Sequence, residues 1–204
     1  IGYEGAQDWD LGMRISEEID SSKIRHIPFV LYHWRAVIGS TNLALDFKQS
    51  NRGSQIRSLK SHFQRTQHNV KISPKSDDSW QIKYIISEPK PLVSIIIPTR
   101  DQVKYLEPCI DSIKQKTRYP NYEILVIDNQ SDGQETLTYF DDLKNENKIT
   151  VVKYDYSFNY SAINNFAAQR ANGEILVFLN NDTEVITPDW LDEMICYAVR
   201  PPIG

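Results

Sequence analysis

Residues 91–204 predict an α/β fold built on a parallel, doubly wound sheet. Short apolar runs rich in β-branched residues alternate there with segments of helical, amphipathic spacing. Polar residues follow three of the four apolar runs directly, as they do in loops at the carboxyl ends of parallel strands. Residues 1–90 do not repeat this alternation.

Four strand–helix units account for the alternating region. The second apolar run is apolar at consecutive positions, as expected for a strand that is buried on both faces. The first helical segment places Leu106, Cys109, Ile110 and Ile113 on one side. The predicted strands are 92–97, 122–127, 149–152 and 175–179, and the predicted helices are 103–116, a segment around 137–143, 162–171 and 189–199.

The first ninety residues predict a different organisation. Apolar spacing predicts a short helix around residues 9–19, and a polar helix is predicted over residues 43–63. Residues 24–34 are expected to form one or two short strands, broken at Pro28. Residues 71–90 contain Pro74 and Pro89 and are predicted as a domain linker, with a short strand over 80–86 inside it.

Composition excludes several classes of protein. With 204 residues, 40% of them hydrophobic and 25% charged, the chain is neither disordered nor of low complexity. No apolar run approaches the roughly 18 residues that cross a bilayer, so we expect a cytoplasmic protein. Residues 1–90 carry 13 Lys and Arg against 10 Asp and Glu, but residues 91–204 carry 10 against 17, so no nucleic-acid partner is expected. Cys109 and Cys196 are expected to be buried and unpaired.

Polar clusters follow three of the predicted strands, at residues 98–101, 128–133 and 180–182. Any one of them alone is better explained by turns and helix caps, which favour Asp and Asn. Together they occupy one edge of the sheet, and the region has no glycine-rich phosphate loop. The three clusters therefore predict a nucleotide site that uses carboxylates and a divalent cation.

Four motifs carry a resemblance to a known family. They are VSIIIPTRD at 93–101, EILVIDNQSDG at 123–133, FNYSAINNFAAQRANGEILVFLNNDTEV at 158–185 and PDWL at 188–191. With them, residues 91–204 resemble the nucleotide-sugar-binding half of a family 2 glycosyltransferase with the GT-A fold. The resemblance implies a UDP-, GDP- or dTDP-sugar as donor and Mg²⁺ or Mn²⁺ as cofactor.

The resemblance also assigns roles to residues of this chain. It implies a metal-binding Asp-X-Asp motif at Asn180–Asp182, whose first Asp is Asn180 here, so that Asp182 is the only carboxylate left in the motif. It places the remaining donor-binding residues at Pro98, Thr99, Arg100, Asp101, Asp128, Asn129, Ser131, Asn159, Asn164, Asn180 and Asn181.

The first segment resembles the other half of the same family. The motifs are YEGAQDWDLGMRISEE at 3–18 and IRHIPFVLYHWRAVIGST at 24–41. By this resemblance Asp8 is the general base that activates the acceptor hydroxyl, and His33 lies near the diphosphate or the metal. From the residues alone, a second interpretation is equally good for each. Asp8 is then a first-turn carboxylate favoured by the helix dipole, and His33 is a hydrogen-bonded strand residue.

The acceptor-side half therefore precedes the donor half, the reverse of the usual GT-A order. One interpretation is a piece of a tandem protein, with residues 1–70 ending one transferase domain, residues 71–90 as linker and residues 91–204 beginning the next. The other is a permuted single domain. We favour the tandem arrangement, because residues 71–90 have the composition of a connector.

Two hypotheses about function follow. The first is an inverting glycosyltransferase that acts on a surface polysaccharide or glycolipid, in the cytoplasm or at the inner face of the membrane. The second is a non-catalytic module that binds nucleotide or associates, for example as a homodimer that pairs complementary halves. A flavodoxin-like or response-regulator domain would explain the alternation, but neither Asp8 nor the polar cluster at 180–182.

Overall fold

The computed structural model describes residues 2–33, 45–76 and 79–200, and for residues 45–50 it describes the backbone alone. Contacts divide the chain into two compact units, the first ending at Ile85 and the second beginning at Ile86. Each unit is described by itself. None of the described helices is both long and apolar enough to span a membrane.

The first unit contains two helices and a β-hairpin. Both helices agree with the prediction. The hairpin is antiparallel, with Val70 opposite Tyr84 and Pro74 opposite Trp80. Its elements are α1 (Gln7–Glu18), a 3₁₀ turn (Ser21–Lys23), α2 (Leu45–Arg65), β1 (Val70–Pro74) and β2 (Trp80–Tyr84).

Two predictions for this unit differ from the structure. Residues 24–33 form no strand, because they have no pairing partner among the described residues, and Phe29 and Tyr32 are exposed. The predicted connector contains the β1–β2 hairpin instead, and β2 is the short strand that was predicted over 80–86. This hairpin packs on α2, since Trp80 Nε1 donates to Gln55 Oε1 at 3.1 Å and the rings of Phe63 and Tyr84 meet edge to face. The assignment of the units to two transferase domains stays a prediction.

Glu17 joins the two helices of the first unit. Its carboxylate accepts hydrogen bonds from Arg65 Nε at 2.6 Å and from His62 Nδ1 at 2.7 Å. These bonds, above all the one from Arg65, lower the pKa of Glu17 to about 2. The charged form of Glu17 therefore stabilises the contact between α1 and α2.

We predict that this contact makes the first unit sensitive to acid. Because the pKa of Glu17 is lower in the folded state, its contribution is complete above the unfolded pKa of 4.5 and is lost as pH falls towards about 2. Urea unfolding should therefore show a smaller loss of stability for Glu17→Gln than for wild type between roughly pH 5 and pH 2.5. Glu18→Gln, at an exposed neighbouring carboxylate, is the control and should lose stability as wild type does. Equal losses for all three proteins would contradict the prediction.

The second unit contains a four-stranded sheet in the order β5-β4-β3-β6, with every pair parallel. All strands and helices predicted for this region form, and their ends differ by a few residues at most. This confirms the predicted α/β class. The elements are β3 (Val93–Thr99), α3 (Val103–Lys116), β4 (Tyr122–Asp128), α4 (Gln134–Leu143), β5 (Ile149–Lys153), α5 (Tyr160–Ala168), β6 (Ile175–Phe178) and α6 (Trp190–Ala198).

Helices cover both faces of this sheet. On one face, Ile95 and Ile97 of the central strand β3 belong to a buried cluster with residues of α3, α4 and α6. On the other face, Ile96 packs in a second cluster that includes Ile163 and Ala167 of α5. Alternate residues of β3 thus enter two different cores, which explains why the strand is apolar at consecutive positions. Cys109 and Cys196 are free and buried, as predicted.

The turn before β6 packs tightly against the amino-terminal edge of the sheet. Glu123 accepts hydrogen bonds from Ser94 Oγ at 2.6 Å and from the backbone N–H of Asn172 at 2.8 Å. The N–H of Gly173 donates to Ser94 Oγ at 2.8 Å. A Cβ atom on Gly173 would lie 2.6 Å from the backbone nitrogen of Ser94, so only glycine fits at this position.

We predict that Gly173→Ala destabilises the second unit by about 1–3 kcal/mol, because the backbone of β3 cannot move away from the added methyl group. The matched control is Gly12→Ala in α1, where a Cβ atom meets nothing within 4 Å. That substitution should stabilise the helix by about 0.5–1 kcal/mol. The free energy of unfolding in urea, followed by circular dichroism, checks both. An unchanged stability of Gly173→Ala would contradict the packing described.

Candidate functional site

A cavity of about 220 Å³ opens at the carboxyl edge of the sheet in the second unit. Its walls come from the end of β3, the loops that follow the four strands, and the first turn of α5. They include residues from all three polar clusters that the sequence singled out. The lining residues are Pro98, Thr99, Arg100, Asn129, Phe158, Tyr160, Ile163, Asn180 and Asn181.

The loop after β3 is held to the loop after β4 by Asp101. One carboxylate oxygen of Asp101 accepts from the N–H groups of Asp132 at 3.1 Å and Gly133 at 2.9 Å. The N–H of Asp101 donates to Ser131 Oγ at 2.8 Å. Asp101 and Gln102 both have positive φ, 52° and 61°, so the chain turns sharply here. Asp101 and Ser131 thus connect the two loops and are not among the residues that line the cavity.

Asp128, at the end of β4, is also used within its own loop. It is buried, and its Oδ1 accepts from the N–H of Ser131 at 2.9 Å. Gln130 between them has a φ of 61°. Asp101 and Asp128 therefore make turn and cap contacts. These are the roles that a single polar cluster after a strand indicates.

Asn129 follows Asp128 and lines the cavity. Its Nδ2 donates to the carbonyl oxygens of Tyr154 at 3.2 Å and Tyr156 at 2.9 Å. Its own N–H donates to Thr99 O at 2.8 Å. The side chain therefore ties the loop after β4 to the loop after β5.

The loop after β5 contributes aromatic side chains. Asn159 caps α5, because its Oδ1 accepts from the N–H of Ala162 at 3.0 Å, and Asn164 Nδ2 donates to Tyr160 O at 2.9 Å. With this conformation, the loop brings Phe158 and Tyr160 to the cavity. No site role was predicted for Phe158, Tyr160 or Ile163 from the sequence. The sequence did contain a signal for the two aromatic residues, because aromatic side chains occupy the alternate positions 154, 156, 158 and 160.

The loop after β6 holds Asn180, Asn181 and Asp182. Asn181 Nδ2 donates to Thr99 Oγ1 at 2.9 Å, and this bond joins the loop to the end of β3. Asn180 and Asp182 are exposed. Of the three, Asn180 and Asn181 line the cavity, and Asp182 is the next residue along the chain.

Helix α3 supports this loop from the core side. Cys109 Sγ donates to Asn180 O at 3.7 Å, Ser112 Oγ accepts from Val185 N at 2.9 Å, and Lys116 Nζ donates to Val185 O at 2.7 Å. Burial raises the pKa of the Cys109 thiol, which keeps it protonated and able to donate.

The oxygen chemistry of this loop suits a hard divalent cation. Among the described side chains, those of residues 2–33, 51–76 and 79–200, no three His, Cys, Asp or Glu cluster as a metal site. Mg²⁺ is nevertheless commonly bound by one or two carboxylates together with substrate phosphates and water. The exposed carboxylate of Asp182 is one oxygen donor of this kind.

The two remaining predicted residues lie in the first unit. Asp8 is exposed on the first turn of α1, where its Oδ1 accepts from the N–H of Trp9 at 2.9 Å. His33 is exposed at the end of the described segment. The structure therefore places Asp8 and His33 in a different compact unit from the cavity.

Comparison with known proteins identifies the family. Residues 94–203 match the family described as Glycosyl transferase family 2, which is more than half of the chain. This chain belongs to glycosyltransferase family 2. The matched region begins in β3 and includes every residue that lines the cavity.

The family 2 chain also resembles longer proteins over its whole length. It is 40% identical over 207 residues to an uncharacterized protein, y4gI, of Sinorhizobium fredii, and 37% identical over 206 residues to the O-antigen biosynthesis protein RfbC of Myxococcus xanthus. Both alignments cover 100% of this chain but only 23% and 16% of those relatives.

A solved structure confirms the GT-A fold expected for a family 2 member. A mannosyltransferase from Pyrobaculum calidifontis, in complex with GDP-Man and Mn²⁺, superimposes with a TM-score of 0.52 at 19% identity. The superposition covers 77% of this chain and 44% of the mannosyltransferase.

We predict that Asp101→Ala loosens the loops beside the cavity. It removes the acceptor for two N–H groups before α4, and such a loss costs about 0.5–2 kcal/mol at a helix start. Urea unfolding measures the loss. Asp132→Ala, at an exposed carboxylate in the same loop, is the matched control and should change stability little. If the two variants were equally stable, Asp101 would not hold these loops together.

Proposed function

We propose that the second unit binds a nucleotide-sugar donor in the cavity and serves a transferase that moves the sugar to a surface polysaccharide or glycolipid. The observation that carries this proposal is the cavity itself. In this member of family 2, the cavity lies between the loop after β3 and the loop after β6, which contains Asp182. The Myxococcus relative, named for O-antigen biosynthesis, supports the acceptor class. The mannosyltransferase neighbour, bound to GDP-Man and Mn²⁺, supports the donor class.

Each part of the cavity has a role in this proposal. The base lies between the loop after β3 and the aromatic residues of the loop after β5, and the diphosphate lies towards Asn180 and Asn181. Asp182 would hold Mg²⁺ or Mn²⁺ with its exposed carboxylate. A cation there would stabilise the charge that develops on the leaving nucleotide by several kcal/mol.

In the same proposal, the first unit supplies the acceptor side of a separate transferase site, not that of the cavity in the second unit. Asp8 is exposed on α1 and so is open to an acceptor hydroxyl, from which it takes the proton as the sugar is displaced with inversion. His33 approaches the diphosphate or the metal. Peripheral contact with a membrane would bring a lipid-linked acceptor to this side.

We further propose that the two units belong to successive transferase domains of one longer protein. The first would complete one active site and the second would begin the next. Support comes from the two relatives that align with all of this chain over small parts of their own length, because both units are present in each of them. In this arrangement Asp8 and Asp182 serve different active sites.

Calorimetric titration tests the donor site directly. We expect at least one of UDP, GDP and dTDP to bind, and to bind more tightly with Mn²⁺ or Mg²⁺ present. Asp182→Asn should remove most of this metal dependence, because the motif then has no carboxylate for a hard cation. Glu184→Gln, at an exposed carboxylate two residues further on, is the control. If none of the three nucleotides bound the wild-type protein, the donor site would be excluded.

A further inference from the structure

The loop that contains Asp182 is fixed at its amino end through a backbone carbonyl. The carbonyl oxygen of Asn180 accepts from Cys109 Sγ of α3 at 3.7 Å and from Thr183 Oγ1 at 2.8 Å. Cys109 is fully buried, so this contact reaches the loop from the core. The backbone two residues before Asp182 cannot turn without losing both bonds.

The carboxyl end of the same loop is fixed by two further side chains of α3. Val185, three residues after Asp182, donates its N–H to Ser112 Oγ at 2.9 Å and accepts from Lys116 Nζ on its carbonyl oxygen at 2.7 Å. Ser112 is 6% exposed, and its hydroxyl donates in turn to Cys109 O at 2.8 Å. Both backbone polar groups of Val185 are thus bonded to α3.

Helix α3 therefore determines how this loop lies on the sheet. Cys109, Ser112 and Lys116 are spaced by three and four residues, which places them on one face of the helix. The helix itself is held in the buried cluster that it shares with the central strand β3. Asp182 is exposed between the two fixed points, so the direction of its carboxylate depends on backbone that α3 holds.

We propose that Ser112 and Lys116 are positioning residues for the divalent cation of the donor site. This inference rests on the nucleotide-binding function proposed above, in which Asp182 would hold that cation. Groups that orient a metal ligand from behind change metal affinity by roughly ten- to a hundredfold when they are removed. Neither Ser112 nor Lys116 lines the cavity, so removing either should weaken the contribution of the cation and leave metal-free binding of the nucleotide unchanged.

Nucleotide titrations with and without Mn²⁺ test this proposal. Calorimetry gives the dissociation constant of the tightest binder among UDP, GDP and dTDP, once with Mn²⁺ and once with EDTA. The ratio of the two constants is the metal enhancement, which measures the coupling between cation and nucleotide. In Ser112→Ala we expect this enhancement to fall roughly tenfold or to vanish, with the EDTA value within about twofold of wild type. Ser112→Thr should restore the enhancement, because a threonine hydroxyl in a helix can also bond a carbonyl of the preceding turn.

The matched control is Ser94→Ala. Ser94 is also buried, and its Oγ also accepts from a loop N–H, that of Gly173 at 2.8 Å, but at the amino-terminal edge of the sheet. Ser94→Ala should lose a similar amount of stability in urea and keep the full metal enhancement. The pair of variants therefore separates an effect on Asp182 from a general loss of stability.

Lys116→Met tests the same point at an exposed position, where folding is not at risk. Removing a positive charge beside the loop would by itself strengthen cation binding. Losing the bond to Val185 O should instead lower the metal enhancement at least about threefold, and Lys116→Arg should keep most of it. The matched control is Lys148→Met, because the exposed Lys148 ammonium also donates to a backbone carbonyl, that of Pro120 at 2.9 Å, but at the amino-terminal edge of the sheet.

The outcomes separate this inference from the donor site. If no nucleotide bound the wild-type protein, the donor site would fail and this inference with it. If wild type bound nucleotide without metal enhancement, or if Ser112→Ala and Lys116→Met kept the wild-type enhancement, only the positioning role would be overturned. Equal losses of affinity with Mn²⁺ and with EDTA would overturn it as well, because the two residues would then support the unit as a whole. If Ser112→Ala failed to fold, as judged by circular dichroism, Lys116→Met would decide alone.

Discussion

The cavity depends on the hydrogen bonds of one residue, Thr99, at the end of the central strand β3. Its carbonyl oxygen accepts from Asn129 N at 2.8 Å, and its Oγ1 accepts from Asn181 Nδ2 at 2.9 Å and donates to Asp101 O at 3.1 Å. Thr99 is buried and lies opposite Asp128 in the register between β3 and β4. Because β3 pairs on both sides and packs on both faces, it cannot shift, and the loops bonded to Thr99 are held relative to one another.

Unfavourable features are concentrated at the same edge of the sheet. Asp101, Gln102 and Gln130, all non-glycine residues with positive φ, lie in the loops after β3 and β4. The unpaired Oδ1 of Asn129 lies beside them in sequence. Each such feature costs free energy and persists only where the surrounding structure enforces it. The two-sided core of this unit supplies that rigidity.

Sequence alone predicted the second unit well because β3 and β4 are buried on both faces, which leaves continuous apolar runs such as 124–127. It also predicted the edge where the site lies. The sequence could not show that Asn129 lines the cavity while Asp128 is bonded within its own loop. The contacts of Asn129 that distinguish the two residues reach residues 154 and 156, which are distant in sequence. In the first unit the strand at 80–86 was predicted, but the proline-rich composition of residues 71–90 concealed β1 and its pairing with β2.

The two units differ in how completely they bury their apolar residues. In the second, the apolar residues of β3 and β4 enter cores on both faces of the sheet. In the first, Phe29, Val30 and Leu31 are all more than 70% exposed in a segment that pairs with no strand among the described residues. Exposing a contiguous apolar run is unfavourable, and such runs in native proteins mark contact surfaces. The tandem arrangement proposed above accounts for this difference, because the acceptor-side unit would pack on the sheet of its own transferase domain, while the second unit contains its own sheet and core.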